Sequence, residues 1–466
     1  MSEENIGKLD CRRIARLPKE RMAILPRLAL AAAIAISVMS ASAVVASQAG
    51  SAPQKPKEPT ATAPQPHSEQ AYSLPPDKLA QAIALNKIRI ALDIAGSLWG
   101  LIVLWGLLAS GTAARLEAWT RQKTSRRWVQ GLAFFAILIV FLTLAGLPLD
   151  LIGHAASLHY KISVQRWPGW FADQGKGLAV SLGIGVPILL FFNWIVRVSP
   201  RRYWFWTWLI SIPLTLAAVF LEPLVIDPIF NKFEPLEKTH PALVARLEQV
   251  VARTGTKIPP ERMFLMKASE KSNGINAYVT GIGSSKRFVM WDTTTDRMPD
   301  DEIMAIFGHE SGHYVLNHIV KGLILSSLGL FFAFWVCARV AEWLVRRFGE
   351  RWDVDSVASR AGFLTLLLAL SLAGFVSTPV SNAISRHFEH EADVYGQEAI
   401  HGLVLDDQKT AVSAFNHLGE AWLEVPNPNA FIEFWSYSHP SVQHRAEFAK
   451  HYDPWANRGH GRFFGR

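Results

Sequence analysis

The sequence predicts a mainly α-helical protein that crosses the membrane several times and carries a small α+β segment between its spans. Half of its 466 residues are hydrophobic, 18% are charged, and it contains 17 Trp and 26 Phe. This composition is typical of membrane proteins, because charges inside a bilayer are costly. Several apolar runs also reach the roughly 20 residues that a helix needs to cross the hydrocarbon core. Together these observations predict a polytopic helical bundle.

Seven stretches qualify as membrane spans by length and apolar content. They are Met22–Val45, Ile90–Ser110, Trp128–Gly153, Gly177–Val196, Tyr203–Val225, Ile319–Val345 and Ala361–Ile384. The first follows a basic stretch and ends in small residues, so it fits either a cleaved signal peptide or a permanent anchor. The predicted divisions are that signal peptide or anchor (1–47), a Pro-rich linker (48–76), membrane helices (77–225), an α+β segment (226–318), two further spans (319–384), a C-terminal segment (385–450) and a basic tail (451–466).

Basic residues are concentrated in the short loops that follow the second, fourth and sixth of these spans, and the net charge is +8. These residues are Arg115, Arg121, Lys123, Arg126, Arg127, Arg197, Arg201, Arg202, Arg346, Arg347 and Arg351. By the positive-inside rule the loops are cytoplasmic, which places the α+β segment outside the cytoplasm. With an Ala-rich N-terminus and a possible export signal, this predicts a bacterial inner-membrane protein with a periplasmic face. Because much of the basic charge lies in short loops beside spans, it indicates contact with the lipid bilayer and no nucleic-acid partner.

The α+β segment contains a predicted helix at Pro241–Thr254 and three β-like runs. The runs are Met263–Met266, Ile275–Gly281 and Arg287–Trp291. A Gly-Ser-Ser-Lys turn separates the last two, which predicts a β-hairpin. Pro299, followed by three acidic residues, predicts the start of another helix, since proline and acids suit a first turn. This helix is expected to continue with little break into the sixth span.

The most informative motif, His309-Glu310-Ser311-Gly312-His313, lies on that helix. Two histidines at i and i+4 share one helix face and can bind a single metal ion. Glu310 follows the first histidine, where a carboxylate can act as general base toward a water on the metal. The motif therefore predicts a zinc hydrolase, provided that a third ligand is found.

The third ligand is expected in the segment after the last span, where His387, Glu389, His390 and Glu391 are all chemically suitable. Glu389 and Asp393 are at i and i+4 and share a helix face, whereas Glu391 points away from it. That pair can offer one carboxylate to the metal and a second to the free N–H of a ligand histidine. The two intervening spans return this segment to the side of the His309 helix.

Several segments resemble the type I CAAX prenyl endopeptidase family of membrane-embedded zinc metalloproteases. The resemblance covers about residues 72–450. It rests on the motif at 309–313, Ser385-Arg386-x-Phe388-Glu389-x-x-Ala392-Asp393, Ser438-His439-Pro440 with Arg445, the run 272–281, and the segments 227–233 and 235–236. It implies a helical bundle that encloses a chamber, with a zincin-like α+β catalytic domain.

The resemblance implies one Zn²⁺ per chain with His309, His313 and Glu389 as ligands. Glu310 is then the general base, and Asp393 supports a ligand histidine. For His318, His387 and His390 it implies no role, and these histidines are expected to face solvent or to lie behind the ligands.

The resemblance also implies a substrate site. The strand around Asn276, Ala277 and Tyr278 is expected to bind the substrate backbone as an added β-strand. His439 and Arg445 are expected to stabilise the developing oxyanion or to hold substrate.

The function predicted is hydrolysis of peptide bonds in membrane-associated polypeptides by a zinc-dependent metalloendopeptidase. Because the catalytic face is predicted outside the cytoplasm, a prenylated substrate is less expected than in eukaryotic members of the family. An envelope quality-control protease of the HtpX type is therefore an alternative. Two alternatives come from other classes: an inactive zinc-binding scaffold, and a transporter suggested by Asp93, Asp150 and Asn193 within predicted spans.

Overall fold

The computed structural model describes residues 70–456 and 459–465. The predicted span Met22–Val45 and most of the Pro-rich linker lie outside the described residues. The helices are α1 Pro76–Ala109, α2 Thr112–Lys123, α3 Arg127–His159, α4 Trp167–Val180, α5 Val186–Val198, α6 Tyr203–Leu221, α7 Asp227–Phe230, α8 Leu236–Thr239, α9 Pro241–Thr254, α10 Asp292–Thr295, α11 Asp300–Val315, α12 His318–Trp352, α13 Arg360–Ile400, α14 Asp407–Trp422, α15 Ala430–Ser436 and α16 Val442–His451. The strands are β1 Phe233–Pro235, β2 Met263–Met266, β3 Ala277–Thr280 and β4 Arg287–Trp291.

Within the described residues, six helical stretches are long and apolar enough to cross a membrane. They are Pro76–Ala109, Arg127–His159, Trp167–Val198, Tyr203–Phe230, His318–Trp352 and Arg360–Ile400. Each overlaps one of the six predicted spans after the first, so those predictions are confirmed. Two of the stretches contain a π-helical turn, at Ser181–Gly185 and at Glu222–Ile226.

One hydrophobic core lies between the spans, where α1, α3, α5, α12 and α13 pack together. Its fully buried members include Leu104, Phe134, Phe135, Trp352 and Leu364. The most apolar part of α13 is 44% buried, whereas that of α12 is 6% buried. Helix α13 is thus central in the bundle, whereas most of the apolar surface of α12 is exposed.

A four-stranded sheet forms the β part of the α+β segment, with strand order β1-β2-β4-β3. Strands β3 and β4 form the predicted antiparallel hairpin, while β2 runs parallel to β4. The sequence did not predict β1, a short antiparallel partner of β2. The order leaves β3 at one edge of the sheet.

Helices α9 and α11 cover one face of this sheet and build a second core. Leu247, Val250, Met263 and Phe288 are buried there, and the Phe288 ring contacts the edge of Phe307 at 4.7 Å between centroids. Fully burying each such side chain stabilises the fold by about 1.5–3 kcal/mol. The core therefore fixes α11, the helix with the His-Glu-Ser-Gly-His motif, against the sheet.

Only Leu316 and Asn317 separate α11 from the membrane helix α12, as the sequence predicts. Asn317 takes the left-handed backbone conformation, with φ of 57°. Asparagine tolerates this conformation better than most residues, because its side chain can bond locally to the backbone. Here Asn317 Nδ2 donates to the Val315 carbonyl, and the chain turns directly from the motif into the span.

Candidate active site

Helix α11, which carries the His-Glu-Ser-Gly-His motif, crosses the C-terminal half of α13 at very short distance. A Cβ atom at Gly308 would lie 2.9 Å from the Gly396 carbonyl oxygen, and one at Gly396 would lie 2.6 Å from the His309 nitrogen. A Cβ at Gly312, inside the motif, would lie 3.2 Å from the Ala392 Cα. Glycine at these positions lets the backbones touch, since it has no side chain to separate them.

The crossing places three donor groups around one point. His309 Nε2 lies 3.1 Å from His313 Nε2, and Glu389 carboxylate oxygens lie 3.3 Å from the former and 3.5 Å from the latter. Tetrahedral zinc with bonds of 2.0–2.2 Å separates its ligand atoms by about 3.4 Å. Two imidazoles and a carboxylate are also a usual zinc donor set. The three residues therefore fit the expected metal in both geometry and chemistry.

The first ligand histidine is supported by a carboxylate and an arginine. His309 Nδ1 lies 2.8 Å from Asp393 Oδ1, which is the contact predicted for a ligand histidine. Arg445 donates to both oxygens of Asp393, through Nε at 2.9 Å and NH2 at 2.6 Å. Such a chain fixes the tautomer and the ring orientation of the ligand.

Arg445 was expected at the substrate, which stays a prediction, and the contacts of its side chain in the structure are with Asp393. Its side chain is 11% exposed and lies behind His309, with both bonding nitrogens directed to Asp393. Its guanidinium also stacks over Phe415, with 4.5 Å between the charge centre and the ring centroid. Burial lowers the pKa of Arg445, but the adjacent Asp393 carboxylate outweighs this and raises it overall. Through these contacts Arg445 holds the Asp393 carboxylate beside His309.

The second predicted ligand histidine contacts His318, which the sequence analysis expected either in solvent or behind the ligands. His313 Nδ1 lies 3.0 Å from Nδ1 of His318, which is 4% exposed and stacks on Phe388. His318 Nε2 lies 3.3 Å from Glu391 Oε2. When His313 Nε2 faces a metal, its Nδ1–H donates to His318 Nδ1, and His318 Nε2–H donates to Glu391. The signal in the sequence is a histidine directly after a helix-ending asparagine.

Glu310 projects toward the edge of the sheet. Its Oε2 accepts a hydrogen bond of 3.1 Å from the backbone N–H of Val279 in β3. Burial raises the pKa of Glu310, and the neighbouring His313 and His309 oppose this rise. A carboxylate with a raised pKa is a better base near neutral pH than an exposed one.

The open edge of β3 is presented by Ala277 and Val279. Trp291 N donates to Asn276 O at 3.1 Å, and bonding in an antiparallel pair alternates along the strand. Tyr278 therefore bonds toward β4, while the backbone groups of Ala277 and Val279 point away from it. The Val279–Glu310 contact agrees with this direction.

Asn276 and Tyr278, the other two residues of the predicted substrate-binding strand, make contacts that hold β3 in place. Asn276 N donates to Thr294 Oγ1 at 2.8 Å. The Tyr278 hydroxyl donates to Asp227 Oδ2 at 3.2 Å, and Arg287 donates to the same oxygen at 2.8 Å. These contacts tie β3 to the sheet and to the end of the fourth described span.

His439 lies beside the ligand carboxylate. Its Nε2 is 3.3 Å from Glu389 Oε2, and its Nδ1 is 2.9 Å from Ser438 Oγ. Burial lowers the pKa of His439, which favours the neutral ring. With Ser438 donating to Nδ1, the ring carries its proton on Nε2, the nitrogen that faces the site.

The sequence matches two protein families and several curated relatives. Residues 237–453 match the family described as peptidase family M48, and residues 60–232 match the one described as CAAX prenyl protease N-terminal, five membrane helices. The uncharacterized metalloprotease YhfN of Bacillus subtilis strain 168 is 32% identical over 383 residues, which cover 82% of this chain and 88% of the relative. The chain belongs to peptidase family M48. CAAX prenyl protease 1 of Saccharomyces cerevisiae is 29% identical over 68% of this chain and 71% of its own.

The fold has a solved counterpart in this family. The crystal structure of S. mikatae Ste24p matches with a TM-score of 0.70 at 23% identity, over 81% of this chain and 90% of that chain. The predicted polytopic helical bundle with a membrane chamber is thereby confirmed. The M48 protein is an integral, multi-pass membrane metalloendopeptidase that acts on polypeptides.

Proposed function

We propose that this M48 protein is a zinc-dependent endopeptidase that cleaves membrane-associated polypeptides on the extracytoplasmic side of a bacterial inner membrane. The observation that carries the proposal is the arrangement of His309, His313 and Glu389 around one point, with Glu310 held against an open strand edge. The donor spacing supports zinc, and the adjacent edge supports an extended peptide as substrate.

The residues of the site have distinct chemical tasks in this proposal. Zinc, when bound, supplies an activated water and polarises the scissile carbonyl. Glu310 accepts the proton of the attacking water and delivers it to the leaving amine, while the Val279 N–H holds its carboxylate in place. The Nε2–H of His439 is aimed at the site and can donate to the developing oxyanion, a contribution often worth about 3 kcal/mol.

The substrate enters this scheme as an added strand. The outward N–H and C=O groups of Ala277 can pair with the backbone of an extended peptide antiparallel to β3. Recognition through the backbone places few demands on the substrate side chains. A site of this kind is suited to many sequences, provided that the segment is unfolded enough to reach the chamber.

The two ends of the bundle support the proposed orientation. The loop between α3 and α4 contacts the catalytic segment through a bridge between Ser163 and Ser272, and it holds few basic residues. The basic loops lie at the opposite end, where Arg127 meets the start of α13 through Arg360. Basic loops face the cytoplasm, which favours an extracytoplasmic active site.

The test uses the full-length protein in detergent with an unstructured, quenched-fluorescent peptide. Wild type and Glu310→Gln are compared, with zinc content measured on both; the exposed Arg201→Ala at the far end of the bundle is the control. Cleavage by wild type and control, with zinc in all three and no cleavage by Glu310→Gln, is expected. Absence of zinc from wild type would overturn the metal assignment, and full activity of Glu310→Gln would overturn the base.

A second peptide distinguishes the substrate class. The yeast relative is named a CAAX prenyl protease, so a farnesylated CAAX peptide is compared with its unprenylated form. Equal kcat/KM for the two forms is expected if the backbone edge is the main recognition element. A large preference for the prenylated form would contradict the general substrate proposed here. For orientation, a tag after Arg466 that is protease-accessible only from the cytoplasm would overturn the extracytoplasmic assignment.

A further inference from the structure

The segment 459–465 folds back onto the helix that carries the third metal ligand. Glu398 of α13 is fully buried, and its carboxylate accepts backbone N–H bonds from Arg462 at 2.6 Å, Phe463 at 2.7 Å and Phe464 at 3.0 Å. The rings of Phe463 and Phe464 pack against Tyr395, one turn earlier on the same helix. This segment is called the docked tail below.

The docked tail supplies hydrogen bonds to the buried carboxylate of Glu398. Burying a charged group is costly unless it is hydrogen-bonded, and the docked tail supplies three backbone donors to Glu398. The remaining donor is the Tyr452 hydroxyl, at the end of α16. Without the tail, Glu398 would lose most of the hydrogen bonds that the described residues give it.

The docked tail also reaches the metal site through side chains. Arg462 NH2 donates to Glu391 Oε1 at 2.7 Å, and the other oxygen of Glu391 lies 3.3 Å from His318 Nε2. His318 in turn contacts Nδ1 of the ligand His313 at 3.0 Å. An unbroken chain of contacts thus joins the tail to a metal ligand.

We propose that the docked tail is part of the metal site: Arg462 orients Glu391, Glu391 orients His318, and His318 holds ligand His313. The proposal rests on the zinc site proposed for this protein. The tail lies beyond residues 237–453, the part that matches the peptidase family, so the support of His313 includes a segment outside the matched domain. Arg462, Glu391 and His318 are positioning residues.

The geometry explains why Arg462 is needed. The Glu391 side chain is 13% exposed, and Lys321 Nζ lies 4.0 Å from the same oxygen that faces His318. Arg462 binds the opposite oxygen and so leaves Oε2 directed at the imidazole. When the arginine is removed, Lys321 and solvent compete for a carboxylate that is no longer held on its outer side. The His318 ring then loses its fixed acceptor.

The test measures zinc affinity by competition with a chelator, together with peptide cleavage, in the full-length protein. Arg462→Ala is expected to weaken zinc binding about tenfold and His318→Ala by more, within the 10–100-fold range typical of residues that hold metal ligands. Arg462→Lys should restore part of the affinity, because it retains the charge. Arg201→Ala, with the same loss of charge at the far end, should bind zinc as the wild type does.

A double variant separates the proposed chain from a general loss of structure. In a His318→Ala background, Arg462→Ala should cost no further zinc affinity, because the arginine acts through that histidine. Unchanged zinc affinity in Arg462→Ala would overturn the proposal, as would full additivity in the double variant. If the wild type binds no zinc, the site itself fails. If the wild type binds zinc and Arg462→Ala binds it equally well, the proposed zinc site stands and only the role of the docked tail fails.

Discussion

Helix α13 has a buried arginine–carboxylate pair near each end, and the two pairs differ in what the carboxylate also contacts. At its start, Arg360 lies 3.4 Å from Glu117, with side chains 5% and 7% exposed. The second oxygen of Glu117 accepts the backbone N–H of Ala361 at 2.9 Å, one of the N–H groups left unpaired at a helix start. Arg360 also donates to the Arg127 carbonyl and to Gln130. This pair joins three helices.

Toward the other end, Asp393 pairs with Arg445, and these side chains are 3% and 11% exposed. Here the carboxylate also contacts His309 Nδ1, a nitrogen of a proposed metal ligand. Both pairs join an arginine to a carboxylate. The carboxylate of Glu117 also accepts a backbone N–H, whereas that of Asp393 contacts a histidine of the proposed metal site. The role of a buried ion pair is therefore best inferred from the further group that its carboxylate contacts.

The largest expected effect is on protein stability, when the Glu117–Arg360 pair, called the structural pair below, is broken. Arg360→Met removes the buried partner of Glu117 and leaves Arg121, 2.7 Å away and 60% exposed, as its partner in an ion pair. Breaking a buried pair costs about 3–5 kcal/mol, and the lower end, about 3 kcal/mol, is expected here because Arg121 remains. The free energy of unfolding, measured by titration with a denaturing detergent, should fall by that amount. The zinc affinity of the protein that remains folded should equal that of the wild type. A variant that keeps its stability but loses zinc would contradict the division between the pairs.

For the Asp393–Arg445 pair, called the functional pair below, the expected loss is in zinc affinity and activity. Asp393→Asn replaces the acceptor of the His309 Nδ1–H by an amide that cannot hold the same tautomer as firmly. Loss of such a partner typically lowers metal affinity or activity by 10–100-fold, and we expect about 100-fold in kcat/KM, because the contact is direct and buried. Zinc affinity and kcat/KM are measured beside Asp296→Asn, a change of the same kind in a loop. Unchanged values for Asp393→Asn would show that the contact does not orient the ligand.

A smaller effect is expected when only the geometry of the functional pair changes. Arg445→Lys keeps the charge but cannot make the two parallel bonds to Asp393, since lysine offers a single ammonium. A loss of about tenfold in kcat/KM is expected, with the unfolding free energy nearly unchanged. Activity assays and detergent titration on the same preparation measure both. An increase in KM alone would instead support the substrate contact that the sequence suggested.

The smallest effect is expected when both members of the structural pair are replaced. The double variant Glu117→Leu with Arg360→Met removes two buried charges together, and such replacements are often neutral or stabilising. The unfolding free energy should return to within about 1 kcal/mol of the wild type, and peptide cleavage should persist. The matched change at the other end, Asp393→Leu with Arg445→Met, should fold and remain inactive. Activity in that second variant would remove the distinction between the pairs.

The sequence predicted the features that depend on local pattern. Apolar length identified the six described spans, and the turn at 283–286 identified the β3–β4 hairpin. The predicted end of the last span at Ile384 marks where the apolar run stops, but the helix continues to Ile400. This continuation carries Glu389, the third predicted metal donor, on the helix face that it shares with Asp393. Helical spacing alone was enough to bring Glu389 and Asp393 to the same side.

What the sequence did not predict depends on contacts between distant residues. Strand β1 contains only three residues, one of them a proline, and it exists because it pairs with β2. The parallel pairing of β2 with β4 likewise has no local signature. His318 and Glu391 meet across 73 positions of the chain, and neither belongs to a recognised motif. The contact of Arg445 with Asp393, 52 positions earlier in the chain, was likewise not predicted.

The order of the donors along the chain has a consequence for the life of the protein in the cell. His309 and His313 precede the helices α12 and α13, and Glu389 comes only near the end of the second of them. While the ribosome is still synthesising this pair of helices, the two histidines have no carboxylate to complete the site. Metal capture and folding are coupled wherever ligands meet only in the finished structure. With the zinc site proposed here, the nascent chain lacks a complete set of metal donors while these two helices are being inserted, and proteolytic activity is expected only after α13 is in place.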